Sequence, residues 1–263
     1  MDGPDPPPLP YDPGNAGDLL KHGMLAELVV WWLAHHPGPL RFADPFGGRP
    51  WLRPHPEVVR RLAGLKGTAL AAVQDDPQRY LGSGHLVAET ARRHGGAARV
   101  AAADRDPAAR RALEASGLAP LTATGFRPGD GFSVLHAELD ADLLLLDPFA
   151  DFIETEAERV LPAVAAAACR TAVVVFVPDP GPETGPGRRL RALKADCLTA
   201  AWSLRCPPLT GTPLRGESGH HSELLLAAPW LDGPAAGALA QRLAAFVRRL
   251  ARVLDAPVSL RRT

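Results

Sequence analysis

The sequence predicts an α/β fold built on a parallel sheet. Three observations carry this. Ala141-Asp142-Leu143-Leu144-Leu145-Leu146-Asp147-Pro148-Phe149 is an apolar run closed by an acid and a proline, which reads as a strand buried on both faces. Short apolar segments alternate along the chain with helical patterns. Acids recur just after the strands, at the edge where open α/β sheets bind ligands. With 263 residues, 46% of them apolar, the chain is long enough for one large domain carrying a small insertion.

The elements follow in order. Residues 1–13 form a Pro-rich, acidic arm, unlike a signal peptide, and residues 14–263 form the domain. Asp18 to Ala34 is a helix, with Leu19, Leu20, Met24, Leu28 and Val29 near a 3.6 period; His35-His36-Pro37-Gly38-Pro39 stops it. Leu40 to Ala43 is a short strand and Asp44-Pro45-Phe46-Gly47-Gly48 its turn. Residues 49–82 hold one clear helix, Glu57 to Gly64, and read as an insertion over the sheet edge. A helix from Gly84 to His94, a strand from Arg99 to Ala103 and a helix from Pro107 to Ser116 come next. Leu121 to Thr124 is a candidate strand. After the Asp147 strand come a helix from Glu154 to Ala168, a buried strand from Thr171 to Val177 and a basic helix from Gly187 to Asp196. A late strand from Ser222 to Ala227 and an amphipathic helix from Pro234 to Asp255 end the chain.

Composition narrows the function classes. Lysines and arginines equal aspartates and glutamates, 29 each, so no global charge draws the chain to nucleic acid. Three cysteines without ligand spacing fit a reducing, cytoplasmic setting. His35-His36 and His220-His221 lack a second ligand pair, so no metal is expected. No apolar stretch is long enough to span a bilayer. Arg242, Arg249 and Arg252 share one face of the last helix and read as a solvated polar face, with phosphate contact as the alternative.

The chemistry lies in four acids, Asp44, Asp104, Asp130 and Asp147, each following a strand or loop. One such acid commonly caps the next helix. Four in series, with Gly47-Gly48 after the first and Gly131 after the third, match the layout of a nucleoside-cofactor site. Glycine lets backbone approach a ligand, and an acid ending the second strand can accept both ribose hydroxyls. Neither a dinucleotide fingerprint nor a P-loop is present. S-adenosylmethionine (SAM), with a ribose and an adenine but no phosphate, fits best.

The segment Tyr11-Asp12-Pro13-Gly14-Asn15-Ala16-Gly17-Asp18-Leu19-Leu20-Lys21-His22 resembles the N-terminal signature of the bacterial large-subunit ribosomal RNA adenine methyltransferases of the RlmJ type. The resemblance runs thinly through Asp44 to Gly48, Gly82-Ser83, Asp104, Asp130-Gly131 and Asp147-Pro148, to Glu217-Ser218-Gly219 and Pro229-Trp230. It implies a class I, Rossmann-like methyltransferase fold with SAM as cofactor. By that resemblance Lys21 and His22 line the methionine end, and Asp44, Phe46, Gly47 and Ser83 stand near the cofactor. Asp104 holds the ribose, and Asp130 and Gly131 meet the adenine. Asp147 is the catalytic-position acid, followed by Pro148 and Phe149. In the family this acid opens an Asp-Pro-Pro-Tyr motif whose carboxylate and proline carbonyl hold the target amino group while the tyrosine stacks on the extruded base.

Several base-facing groups depart from that pattern. Phe149 replaces the second proline and Ala150 the stacking tyrosine. Phe46 replaces a histidine, and Pro7 stands where the family has a substrate-side tyrosine, leaving Tyr11 as the nearest aromatic. Phe46, Phe149 and Phe152 are therefore candidates for an apolar acceptor pocket, or else for core. The expectation is methyl transfer to an amine-type nucleophile, with a small molecule favoured over the family's ribosomal RNA adenine. A non-catalytic SAM- or RNA-binding module is the alternative from a different class.

Overall fold

The leucine run divides its side chains between two cores. In the computed structural model β6 (Leu143–Leu146) sends Leu143 and Leu145 into one cluster and Leu144 and Leu146 into another, as the two-residue period of a strand requires. Its neighbour β7 (Ala172–Asp179) does the same, with Ala172 and Val174 on the first side and Val173, Val175 and Val177 on the second. Both faces of the sheet are covered by helices, which is why these strands carry no polar alternation. The structure describes residues 11–148, 150–179, 181, 184–198, 201–219 and 221–262. The arm up to residue 10 and Phe149 lie outside them, as do the side chains of 150–155, Phe152 among them.

The chain opens with α1 (Ala16–His35), capped by Asn15, whose side chain accepts from Asp18 N–H. It is buried almost all round over its first four turns, and the charged Asp18, Lys21 and Glu27 within them are each paired. Then come β1 (Leu40–Asp44), β2 (Trp51–Leu52), α2 (Pro56–Gly64), α3 (Ala69–Val73), β3 (Tyr80–Leu81), α4 (Ser83–Arg93), β4 (Ala98–Ala102), α5 (Pro107–Ala115) and β5 (Ala119–Pro120). A 3-10 turn, Gly131–His136, precedes β6; α6 (Ala150–Ala167) separates β6 from β7. The chain finishes with α7 (Gly185–Cys197), β8 (Trp202–Cys206), β9 (His221–Ala227), α8 (Ala236–Leu254) and β10 (Ser259–Arg262).

Eight strands form one sheet in the order β10-β8-β9-β7-β6-β1-β4-β5. From β5 to β7 every pairing is parallel, while β9 runs antiparallel between β7 and β8, and β10 antiparallel to β8. The parallel part is a doubly wound sheet in which the strand order reverses between β1 and β6, and ligands of such sheets sit at the carboxyl ends of the strands flanking that reversal. The Rossmann-like α/β fold expected from the sequence is therefore present.

Four expectations need correction. The strand expected at Leu121 to Thr124 falls two residues earlier: Leu121 N–H still bonds Ala102 O, but Thr124 bridges only Glu138, before the chain turns at Gly125 (φ 87°). Residues 49–82 contain a second helix, α3, and the β2–β3 pair. They do not ride over the sheet edge: Val58, Leu62, Leu65, Leu70, Val73 and Tyr80 belong to the same buried cluster as α1 and α8. Arg242 is more than a solvated cation: with its side chain 38% exposed, it donates to the buried Glu27 of α1 at 2.5 Å.

Candidate functional site

The first turns of α1 deliver the cation of the site. Asp18 and Lys21 are three apart and so share a helix face. Lys21 Nζ donates to Asp18 Oδ1 at 2.9 Å and to Asp147 Oδ2 past the carboxyl end of β6, the edge where such sheets bind ligands and here called the groove, and stands 5.9 Å above the Phe176 ring. Asp18 also accepts from Gly14 N–H through Oδ2 at 2.9 Å. Burial pulls the Lys21 ammonium toward neutrality, but the Asp147 and Asp18 carboxylates outweigh it and hold its pKa well above the usual lysine value. Burial raises the Asp147 pKa, and Lys21 opposes that without cancelling it.

His22 points the other way. Its Nδ1 pairs with the Tyr80 hydroxyl at 2.9 Å and the two rings stack at 5.3 Å. Burial, with the Lys21 charge beside it, lowers the imidazole pKa to about 3, so it is neutral at physiological pH. Burial and the nearby Asp18 carboxylate likewise raise the Tyr80 phenol well above its ordinary value.

At the end of β1, Asp44 is fully buried. Oδ1 accepts from Phe46 N–H at 3.0 Å, and Oδ2 pairs with Ser83 Oγ at the start of α4. Burial drives its pKa to about 7, against the lowering effect of those two hydrogen bonds. Asp44 and Ser83 thus face each other beneath the groove and shape the 44–48 turn. At that turn Gly47 N–H bonds Ala103 O at 2.8 Å, and Gly48, in left-handed backbone (φ 59°), donates to Asp104 Oδ2 at 3.0 Å. A Cβ on Gly47 would sit 3.1 Å from that of Ala102, so the turn and the end of β4 are in close contact.

Asp104 accepts from Gly48 and, through Oδ1, from Asp106 N–H at 2.7 Å. A carboxylate has about four acceptor positions, so capacity remains for two further donors. Asp130 caps the 3-10 turn, taking Phe132 N–H on Oδ1 at 3.1 Å. The Phe46 ring lies over Gly131, where a Cβ would come within 2.5 Å of it, and meets Phe132 edge-on at 5.0 Å. Phe46 therefore joins the 44–48 turn to the Asp130 loop. Tyr11 lies within reach of the charges of the site. Burial raises its phenol pKa to about 12, and the charges acting on it are those of Asp18, Lys21, Asp147 and Asp104. Asp104, Asp130 and Asp147 are all half-buried, whereas Lys21, His22, Asp44 and Ser83 are buried.

Sequence reasoning named Tyr11 only as the nearest aromatic on the substrate side, gave Asp18 no role in the site and missed Tyr80 altogether. The three-residue spacing to Lys21 was a signal for Asp18; nothing local marks Tyr80, which arrives on a two-residue strand. Pro148 is buried next to Asp147, and Phe149 lies outside the described residues. Among the described residues no group of three or more His, Cys, Asp or Glu could hold a metal, and no helix is long and apolar enough to cross a membrane.

No family model and no curated protein matches the sequence. Among solved structures the fold is similar to that of protein LPL1258 from Legionella pneumophila, described as belonging to family DUF519. The two chains share 14% identity at a TM-score of 0.67, over 95% of this chain and 97% of that one. Likeness at that identity establishes a common fold across nearly the full length.

Proposed function

We propose that this chain is a SAM-dependent methyltransferase acting on an amine-type nucleophile. The carrying observation is a set of half-buried carboxylates: Asp104 and Asp147, just past the carboxyl ends of β4 and β6 on either side of the strand-order reversal, and Asp130 at the head of the 3-10 turn that leads into β6. The residues fit the cofactor. Asp104 keeps acceptor capacity for two ribose hydroxyls, Asp130 keeps Oδ2 for an exocyclic amino group, and the Gly47-Gly48 turn brings backbone close. SAM, when bound, supplies a methyl group activated on a sulfonium. Lys21 occupies Asp147 Oδ2 and leaves Oδ1 to accept an N–H of the incoming amine. With the carbonyl of Pro148 as a second acceptor, this fixes the direction of the nitrogen lone pair, and such positioning supplies most of the acceleration. The resemblance to the RlmJ-type family, carried by Gly14 to His22, supports the same reading.

The acceptor is a small molecule in this account, because Ala150 stands where that family stacks a tyrosine on the base. A ribosomal RNA adenine is the second reading, favoured by the Gly14 to His22 segment. Calorimetric titration with S-adenosylhomocysteine tests the first step. Binding is expected, and Asp104→Asn is expected to weaken it about 10- to 100-fold, the worth of a hydrogen bond to a charged group. No heat at millimolar ligand removes the proposal. Methyl transfer to an RNA adenine, with strongly salt-dependent RNA binding, selects the second reading.

A further inference from the structure

The loop between β8 and β9 carries a carboxylate with no part in the groove itself. The side chain of Glu217 is completely buried. Oε1 accepts from Ala16 N–H at 2.5 Å and from Arg61 Nη1 at 2.5 Å; Oε2 accepts from Arg61 Nη2 at 3.1 Å and from Thr212 Oγ1. All four acceptor positions are thus filled, by donors from the first residue of α1, the inserted helix α2 and the loop itself. Arg61 is in turn held through Nε by Glu57 at 2.9 Å. The same loop grips the chain ahead of α1. Arg215 pairs with Asp12 at 2.8 Å, and Gly216 leaves so little room that a Cβ would lie 2.9 Å from that of Tyr11.

Ala16 N–H is one of the donors that a helix start leaves without an intrahelical partner. Fixing it fixes the first turn of α1, and Asp18 and Lys21 follow on the same rigid helix. A buried ion pair contributes little net stability compared with apolar packing of the same volume, so orientation is what this pair adds. We propose that Glu217 is a positioning residue that sets where the Lys21 ammonium meets Asp147, with Arg61 brought by the insertion to hold it. The functional weight of this rests on reading Lys21 and Asp147 as the acceptor end of the groove.

The chain has three lysines, which makes the test direct. Lys66 is exposed; Lys21 and Lys194 are buried, the latter paired with Glu223 on α7 and β9. Acylation by N-hydroxysuccinimidyl acetate, followed site by site by mass spectrometry, reads each amine. In the unmodified chain Lys66 reacts fast and the other two slowly. Glu217→Gln is expected to speed Lys21 labelling about 10-fold or more and leave Lys194 unchanged; Glu223→Gln is expected to do the reverse. A Lys21 rate within about twofold of the original in Glu217→Gln, or Lys21 and Lys194 rising together, overturns the proposal. Should Glu217→Gln fail to fold, Thr212→Val removes the hydroxyl that donates to Glu217 and accepts from Arg61 Nη2 and Leu214 N–H, leaves the Ala16 and Arg61 bonds to Glu217 in place, and is expected to raise Lys21 labelling severalfold with Lys194 unmoved; no change there overturns it equally. S-adenosylhomocysteine added to the unmodified chain is expected to slow Lys21 further. Failure of that arm alone strikes the nucleoside reading and leaves the coupling of Glu217 to Lys21 standing.

Discussion

Asp44 contributes a stability that falls as pH rises, opposite in sign to the contribution of the buried neutral His22, and Asp44→Asn should remove that component alone. In the folded chain burial holds its carboxyl near pKa 7, against 3.8 for the free group. The folded state therefore binds more proton than the unfolded state between those values. The contribution is fully present below about pH 4 and is lost as pH climbs through 7. With about 1.4 kcal/mol per pH unit, the loss between pH 5 and pH 8 is about 2–3 kcal/mol. The amide suits the site: its carbonyl accepts from Phe46 N–H, and its NH2 donates to Ser83 Oγ. The assay is urea unfolding of the original and Asp44→Asn chains at pH 5 and pH 8. At pH 5 the two should be nearly equal. At pH 8 the variant should be the more stable by about 2–3 kcal/mol, or roughly 4–12 °C in Tm. Equal pH dependence in the two chains, or a variant destabilised at both, refutes the reasoning.

Three further expectations follow from the packing and the charges. Gly23→Ala places a Cβ 1.8 Å from the Phe246 ring where α1 meets α8; despite about 1 kcal/mol of better helix propensity, denaturant unfolding should show a net loss of about 2 kcal/mol from overpacking, largely recovered by Phe246→Leu. Gly131→Ala should push the Phe46 ring off the Asp130 loop and lower S-adenosylhomocysteine affinity about 10-fold by calorimetry, with Phe46→Ala in the same chain restoring most of it. Lys21→Met strands Asp147 and Asp18; unfolding at pH 8 should show a loss of about 3 kcal/mol, shrinking as pH falls because burial favours the protonated Asp147.

The parts of the fold visible in the sequence are those whose pattern is local. The Leu143–Leu146 run and the 3.6 period after Asp18 each state their own burial. The outer strands state less. Trp202–Cys206 does alternate Trp, Leu and Cys with Ser203 and Arg205, a local strand signal that sequence reasoning missed, but the pattern does not announce that Ser203 is buried; Ser259–Arg262 is half arginine, as suits an edge that must not recruit another strand. The insertion was readable as an interruption but not as core, because its apolar residues find partners on α1 and α8 that no local pattern names. The same holds in the groove. Strand-end acids announce themselves, while Tyr80 reaches His22 across 58 residues and Glu217 reaches Ala16 across 201. Arg242 looks solvated on its own helix, and only the arrival of Glu27, 215 residues away, gives its guanidinium a buried partner.

A crystal structure grown with S-adenosylhomocysteine tests the central claim most directly. The account expects the ribose hydroxyls on Asp104, the adenine amino group on Asp130 above Gly131, and the sulfur directed toward Lys21 and Asp147. A ligand bound elsewhere, or a groove that stays empty at saturating concentration, contradicts it.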